Sequence, residues 1–191
     1  MNKDKAIILE HYQQIKENIA RFSKDYGRTP PDLMPDLMVV TKTIDAESIR
    51  VLLEAGHRLF GENRVQEAME KYPALRNDYP DLELHLIGPL QSNKLNQAIT
   101  LFDGIQTLDR ASLFDKMMAL DPSKAKALKS LYIQVNIGCE DQKAGIALDE
   151  ADDFIEQVKQ SGLPLSGLMC IPPQGFAAAP YFALLQQIAR K

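Results

Sequence analysis

Residues 37–49, LMVVTKTIDAESI, join a short apolar run to the start of a helix. The run LMVV (37–40) has the length of a buried strand. Asp45 is a favourable cap for the helix that follows, and Gly56 is a plausible end for it. The stretch therefore predicts a strand followed at once by a helix, with Lys42 at the carboxyl end of the strand.

The same order of a short apolar run and an amphipathic segment recurs along the chain. Ahead of the first run, apolar residues spaced three and four apart predict a helix that ends near Gly27, before the proline-rich link RTPPDLMPD (28–36). Six strands that alternate with helices at intervals of about 20 to 35 residues indicate a parallel sheet with helical crossovers. The predicted strands cover residues 37–40, 57–62, 82–88, 104–109, 131–137 and 165–171.

Two architectures fit this alternation, an open doubly wound sheet and a closed (β/α)8 barrel. No GxGxxG motif follows the first strand, which disfavours a dinucleotide-binding sheet. The motifs GxxxxGK[ST], HExxH and GxSxG are absent from the sequence as well.

Length and composition predict one globular domain over residues 1–191. A net charge of -4 argues against a nucleic-acid-binding protein. No apolar run approaches the roughly 18 residues of a membrane span, and the N-terminus becomes charged too early for a signal peptide. Cys139 and Cys170 are far apart in the sequence, so they suggest neither a disulfide framework nor a zinc site. We expect a cytoplasmic protein.

Lys42 is the first of several polar residues at predicted strand exits. Four apolar residues and Thr41 precede it, so its aliphatic stem is expected to be desolvated. Burial disfavours a charged ammonium group and favours the nucleophilic amine, which can form a Schiff base with an aldehyde. The alternative is a snorkelling or ion-paired lysine at a strand end. Polar residues at strand exits line the active face of a barrel, but they also mark where any chain leaves its core.

Five stretches resemble, in order and spacing, the pyridoxal phosphate homeostasis protein family, whose members are related to the N-terminal barrel of alanine racemase. They are VVTKT (39–43), AGHRLFGENRVQEA (55–68), LHLIGPLQSNK (84–94), IQVNIGCEDQKAGI (133–146) and LSGLMCIPP (165–173). The resemblance runs from about residue 7 to Lys191. It implies a TIM-type (β/α)8 barrel, with an N-terminal helix and about six of the eight βα units within residues 1–191.

The resemblance also implies pyridoxal 5'-phosphate (PLP) as cofactor, held as a Schiff base on Lys42. Asn63 then lies near the cofactor, and His85, Asn136 and Met169 face the same interior. Each of these residues has a plainer interpretation from sequence. Asn63 could cap the next helix, His85 could be a hydrogen-bonded core residue, and Met169 could be core filler.

The function implied is PLP binding in intracellular PLP homeostasis without robust turnover, with PLP-dependent apo-enzymes as possible recipients. A monomer is the expectation for the full-length form. Two alternatives stay open: an amino-acid racemase-like enzyme, which needs acid/base groups on both faces of the cofactor, and a scaffold that binds no cofactor.

The sequence departs from the family pattern in two places. Ile44 stands where family members often carry a second lysine, so any relay role of that lysine is lost or moved. No SMGMS-like loop or VRIG-like motif follows Ile171, although in the family these belong to strands seven and eight and carry the phosphate-binding groups. From this we expect strands one and six to be unpaired edges and this chain alone to bind PLP weakly or not at all.

Overall fold

The computed structural model describes residues 3–27, 34–120, 128–140 and 142–191. Its six strands are β1 (Val39–Val40), β2 (Leu59–Glu62), β3 (Glu83–Leu86), β4 (Gly104–Leu108), β5 (Ser130–Gln134) and β6 (Leu165–Met169). Its helices are α1 (Lys3–Asp25), α2 (Ala46–Glu54), α3 (Val65–Asp78), α4 (Leu95–Leu101), α5 (Ala111–Met118), α6 (Ala151–Gln160) and α7 (Ala179–Ala189), with a 3-10 turn at Ser92–Lys94.

All six predicted strands are present, and they form one parallel sheet in the order β1-β2-β3-β4-β5-β6. This sequential order is the one that successive βα units give when a sheet curves into a barrel, whereas a doubly wound sheet reverses direction at its middle. The structure therefore decides between the two architectures in favour of the TIM-like one. Within the described residues, β1 pairs only with β2, and β6 pairs only with β5.

The hydrophobic core lies between the sheet and its helices. On the sheet it includes one fully buried residue from each of β2 to β5, namely Phe60, Leu84, Ile105 and Leu131. Tyr72 of α3 is also fully buried, and its ring lies 6.3 Å from that of Phe60. Successive residues of a strand point to opposite faces of the sheet. The strand residues next to these core residues therefore line the other face, which is where the functional candidates lie.

Local signals at the helix ends are largely confirmed. The Asp45 side chain accepts a hydrogen bond from Ser48 N at 2.8 Å, which makes it the predicted cap of α2. Gly27 and Gly56 follow α1 and α2 with positive φ values of 70° and 86°. Residues 28–33 of the predicted proline-rich link lie outside the described residues.

Helix α1 buries less of its apolar face than its spacing predicts. Ile8 and Tyr12 pack against the core, but Ile15 and Phe22 are 47% and 52% exposed. The difference arises because α1 packs mainly on α2, not across the sheet. In the ranges that the structure covers, no helix combines the length and apolar character needed to cross a membrane.

Candidate functional site

The register of the sheet sets the level of each candidate residue. Val40 pairs with Gly61, and Gly61 pairs with His85. Lys42 and Asn63 each lie two residues beyond the first of these pairs, so they reach the carboxyl edge of the sheet at the same level. His85 lies one level lower, inside its strand. Carboxyl ends of parallel strands are where barrel proteins place their chemistry, so Lys42 and Asn63 stand at that edge.

Lys42 lies in the turn that follows β1, and its side chain is exposed. The expected desolvation of its stem is wrong, because β1 has only two residues and a neighbouring strand on one side only. In the part of the chain that the structure describes, the Lys42 amine has neither an ion pair nor a hydrogen bond. The ion-paired alternative therefore has no partner for Lys42 among the described residues, and the snorkelling alternative stays open.

A buried polar network holds the turn around Lys42, and sequence reasoning missed it. Glu62, fully buried at the end of β2, accepts hydrogen bonds from Thr41 Oγ1 at 2.8 Å and from Lys71 Nζ at 2.6 Å. Lys71 Nζ also lies 2.9 Å from the carbonyl oxygen of Thr41 and 3.1 Å from that of Ile44. Glu67 accepts a further bond from Lys71 at 2.8 Å. Both ends of the turn are therefore tied to helix α3.

The charges of this network favour their ionised forms. The hydrogen bond from Lys71 is the main reason why the pKa of Glu67 lies below its usual value. Burial alone would lower the pKa of Lys71, but its bonds to Glu62 and Glu67 outweigh that effect and raise it. Burial also raises the pKa of Tyr72, whose hydroxyl lies 2.6 Å from Thr41 Oγ1. At neutral pH the network therefore contains the Lys71 ammonium ion, the Glu67 carboxylate and the neutral Tyr72 phenol.

Asn63 is half-buried at the exit of β2 and does not cap α3. The residue at that cap position is Arg64, which makes no side-chain capping bond. The backbone of Asn63 is in close contact with the exit of β3, because a Cβ atom on Gly88 would lie 2.2 Å from the Asn63 carbonyl oxygen. Only glycine fits at position 88, and the FGEN and HLIG segments therefore pack directly against each other.

His85 is buried within the sheet, and both of its ring nitrogens have partners. Nε2 lies 2.7 Å from Glu83 Oε1, and Nδ1 lies 3.0 Å from the side-chain amide nitrogen of Gln106. With the hydrogen on Nε2, the ring donates to Glu83 and accepts from Gln106. A Cβ atom on Gly104 would lie 2.6 Å from the ring, so the histidine fills the space beside β4. This is the geometry of the hydrogen-bonded core residue named as the plainer interpretation.

Asn136 and Met169 lie at the carboxyl ends of the last two strands. Met169 pairs with Gln134 as the final residue of β6 and is half-buried. Asn136 follows β5, where its Nδ2 donates to the Glu140 carbonyl oxygen at 2.9 Å and its Oδ1 accepts from Glu140 N at 3.2 Å. The Asn136 amide therefore closes its own loop, and a cofactor contact by either residue stays a prediction.

Comparison with known proteins bears on this site. Residues 11–190 match the model of the alanine racemase N-terminal domain. The pyridoxal phosphate homeostasis protein of Pasteurella multocida is 40% identical over 166 residues, which cover 86% of this chain and 70% of that protein. The chain belongs to the pyridoxal phosphate homeostasis protein family. The homeostasis protein of Escherichia coli K12 is 35% identical over 184 residues, which cover 95% of this chain and 77% of that protein.

Comparison with a solved structure supports the fold. PipY of Synechococcus elongatus, in a structure with PLP bound, is 34% identical and superposes with a TM-score of 0.70. The match covers 89% of this chain and 79% of PipY. The sequential sheet and the family assignment confirm the resemblance and the TIM-like fold inferred from sequence.

Proposed function

We propose that this protein binds PLP through Lys42 and serves intracellular PLP homeostasis. One observation carries the proposal: in a chain of this family, an exposed lysine amine with no partner in the described residues stands at the carboxyl edge of the sheet. The names of the relatives and the PLP bound to PipY support the choice of cofactor. The cytoplasm is the compartment that we propose for this role.

The described residues fit the aldehyde end of PLP. When bound, PLP supplies an aldehyde that forms a carbon–nitrogen double bond with a lysine amine and releases water. Lys42 offers such an amine in an accessible turn. Lys71 does not, because its ammonium group donates to Glu62 and Glu67 and its pKa is raised. A nucleophilic amine must be unprotonated, and this requirement disfavours Lys71 as the residue that binds the aldehyde.

We propose different duties for the other candidate residues. Asn63, at the level of Lys42, is the best placed to line the cofactor. His85 supports the inner surface of the sheet one level lower, through its bonds to Glu83 and Gln106. Asn136 and Met169 would complete the rim at the far strands, and cofactor contacts of all four residues remain part of the proposal.

We propose a carrier role without robust turnover, in which PLP-dependent apo-enzymes receive the cofactor. The described residues offer no obvious second acid/base group for the racemase alternative. Tyr132 packs on the inner face beside His85, with ring centroids 6.4 Å apart. Burial is the main cause of its raised pKa, which keeps its hydroxyl protonated. An assay for α-proton exchange on D- or L-alanine tests this, and turnover above that of free PLP contradicts the carrier role.

Reductive trapping tests the cofactor site directly. The protein is incubated with PLP, reduced with borohydride, digested and analysed by peptide mass spectrometry. Because reduction makes the adduct irreversible, product accumulates even when binding is weak. We expect a pyridoxyl group on Lys42. In Lys42→Ala we expect no labelled peptide from this turn. Lys159 is exposed, has no ion pair in the described residues, and reports the background. Equal labelling of Lys42 and Lys159 would favour the scaffold alternative. A PLP titration then measures the affinity. Weak or absent binding by this chain alone remains the prediction made from the sequence.

A further inference from the structure

We propose that Lys71 is a positioning residue for Lys42: with Glu62 and Glu67 it fixes the turn that presents the reactive amine. This inference rests on the proposed function for its chemical consequence. Its structural content, the order of residues 41–44, does not depend on PLP.

The contacts of Lys71 converge on the backbone of the turn. Its ammonium group has three hydrogens and lies within 3.1 Å of four oxygens, two of which are the carbonyl oxygens of Thr41 and Ile44. These two residues bracket Lys42 and Thr43. Glu67 holds the middle of the same turn by accepting a bond from Thr43 N at 2.5 Å. One helix thus fixes the backbone on both sides of Lys42.

The turn needs such support because its backbone is strained. Thr43 has a φ of 63°, in the left-handed region that β-branched residues disfavour. A strained residue persists when surrounding contacts over-determine it. In this turn those contacts are the Thr43 N–H bond to Glu67 and the Ile44 N–H bond to the Thr41 carbonyl oxygen at 3.0 Å.

Stability alone is a weak reason for the buried charges. The side chains of Glu62 and Lys71 are 0% and 10% exposed, and one carboxylate oxygen of Glu62 has no hydrogen-bond partner among the described residues. Removing two such charges from water offsets much of their mutual attraction, so a well-packed apolar pair is often as stable. What an apolar pair cannot do is donate hydrogen bonds to two carbonyl oxygens. The geometry therefore assigns the ammonium group a directional task.

The proposal is tested with the double variant Glu62→Gln/Lys71→Met. This variant removes both charges together, so no buried ion is left unpaired, but it also removes the donor to the turn. Glu70→Gln is the matched control, because Glu70 is exposed on the same helix. Lys71→Arg tests rescue, since a guanidinium group can still donate to carbonyl and carboxylate oxygens. Glu67→Gln provides a milder change at a side chain that is 24% exposed, should the double variant fail to fold.

Two measurements are made on each variant. The first is the rate of pyridoxylation at Lys42 divided by the rate at Lys159 in the same molecule, a ratio that does not depend on the total amount of labelling. The second is amide hydrogen exchange at Thr43 and Ile44 without PLP, compared with exchange in β3. Loss of a charged hydrogen bond predicts an about tenfold lower labelling ratio and about tenfold faster exchange in the turn. Glu70→Gln should match the parent, and Lys71→Arg should recover at least part of both signals.

The outcomes separate the two proposals. A folded double variant, or a folded Glu67→Gln variant if the double variant fails to fold, that labels Lys42 at the parental ratio and keeps the Thr43 amide protected overturns the positioning role. If the parent gains no label at Lys42, the proposed function fails, and amide exchange still decides whether Lys71 orders the turn. Faster exchange in the turn together with an unchanged labelling ratio also counts against the proposal, because the order would then have no bearing on the amine.

Discussion

The turns at the exits of β1 and β5 both contain a strained residue, but different contacts hold the two turns in place. Each holds one non-glycine residue at positive φ, Thr43 with φ 63° and Cys139 with φ 50°. The β1 exit is held from outside, by Lys71 and Glu67 of helix α3. The β5 exit is held from within, because Asn136 bonds the Glu140 backbone through both its Nδ2 and its Oδ1.

The contrast separates shape that is local in sequence from shape that is imposed by another element. A loop closed by its own asparagine keeps its form wherever the strand ends. A turn tied to a helix some 30 residues away responds to changes in that helix. The proposed PLP-binding amine lies in the turn that depends on a helix distant in sequence. Substitutions in α3 should therefore affect Lys42 without being in contact with it.

The largest effect is expected from Lys71→Met, which breaks the remote support. It leaves the fully buried carboxylate of Glu62 without its cation. Breaking a buried ion pair from one side typically costs about 3–5 kcal/mol of unfolding free energy. Urea unfolding followed by circular dichroism measures it. Glu70→Gln on the same helix is the control, with a change within about 0.5 kcal/mol. A loss below about 1 kcal/mol for Lys71→Met would mean that water, not Lys71, satisfies Glu62.

The second effect tests the internal support. Asn136→Ala removes both hydrogen bonds to the Glu140 backbone and a longer one, of 3.5 Å, to the Lys143 carbonyl oxygen. We expect a loss of about 1–3 kcal/mol, with faster amide exchange confined to the β5 exit. Exposed Gln142 provides the control Gln142→Ala. Faster exchange at Thr43 in the Asn136→Ala variant would show that the two exits are coupled, and the contrast between them would fail.

The same contrast explains what the sequence could predict. The strands were predictable because short apolar runs must be buried, and the Asp45 cap because its bond to Ser48 spans only three residues. The polar network of Glu62, Glu67 and Lys71 was not predictable from the sequence. Glu67 and Lys71 are four apart on a helix, a spacing that ordinarily indicates an exposed surface pair. Nothing in FGEN shows that Glu62 points at the helix side of the sheet until the register is known.

The candidate site was predictable only as a set of positions. Resemblance located Lys42 and Asn63 at one edge, and the register of β1 and β2 places them at the same level. Side-chain environments were harder to foresee, because they depend on strand length and on neighbours distant in sequence. The expected burial of Lys42 failed because β1 pairs over only two residues. The two partners of His85 come from the same strand and from β4.

Acid should loosen the β1 exit before the Asn136 side chain responds. The pKa of Glu67 is lowered from 4.5, with Lys71 the main cause and Arg64 a lesser one, so its contribution is complete above pH 4.5 and is lost as the pH falls through the lower folded value. The pKa of Lys71 is raised from 10.5, so its contribution is complete below pH 10.5 and disappears only above that. The Asn136 amide does not titrate in this range.

We therefore expect the protection of the Thr43 amide, corrected for intrinsic exchange, to be constant from neutral pH down to 4.5 and to fall below it. Exchange at Glu140, whose N–H is donated to the Asn136 amide, serves as the internal reference. In Glu67→Gln the acid-dependent loss at Thr43 should disappear. Parallel loss of protection at Thr43 and Glu140 would indicate global acid unfolding, in which case the exits do not differ in their response to acid.

The smallest effects are expected from relieving the strain that both exits share. Glycine adopts positive φ without a steric penalty, but it loses more conformational freedom on folding than other residues do. For Thr43→Gly the relief of a β-branched side chain should slightly exceed this entropic loss, so a gain below about 1 kcal/mol is expected. For Cys139→Gly the strain relieved is smaller, and the change should be close to zero. If Thr43→Gly also speeds amide exchange in its turn, the threonine contributes stiffness there beyond the contacts from α3. Remote support would then act on a turn that is already stiffened by its own sequence, and the difference between the exits would be one of degree.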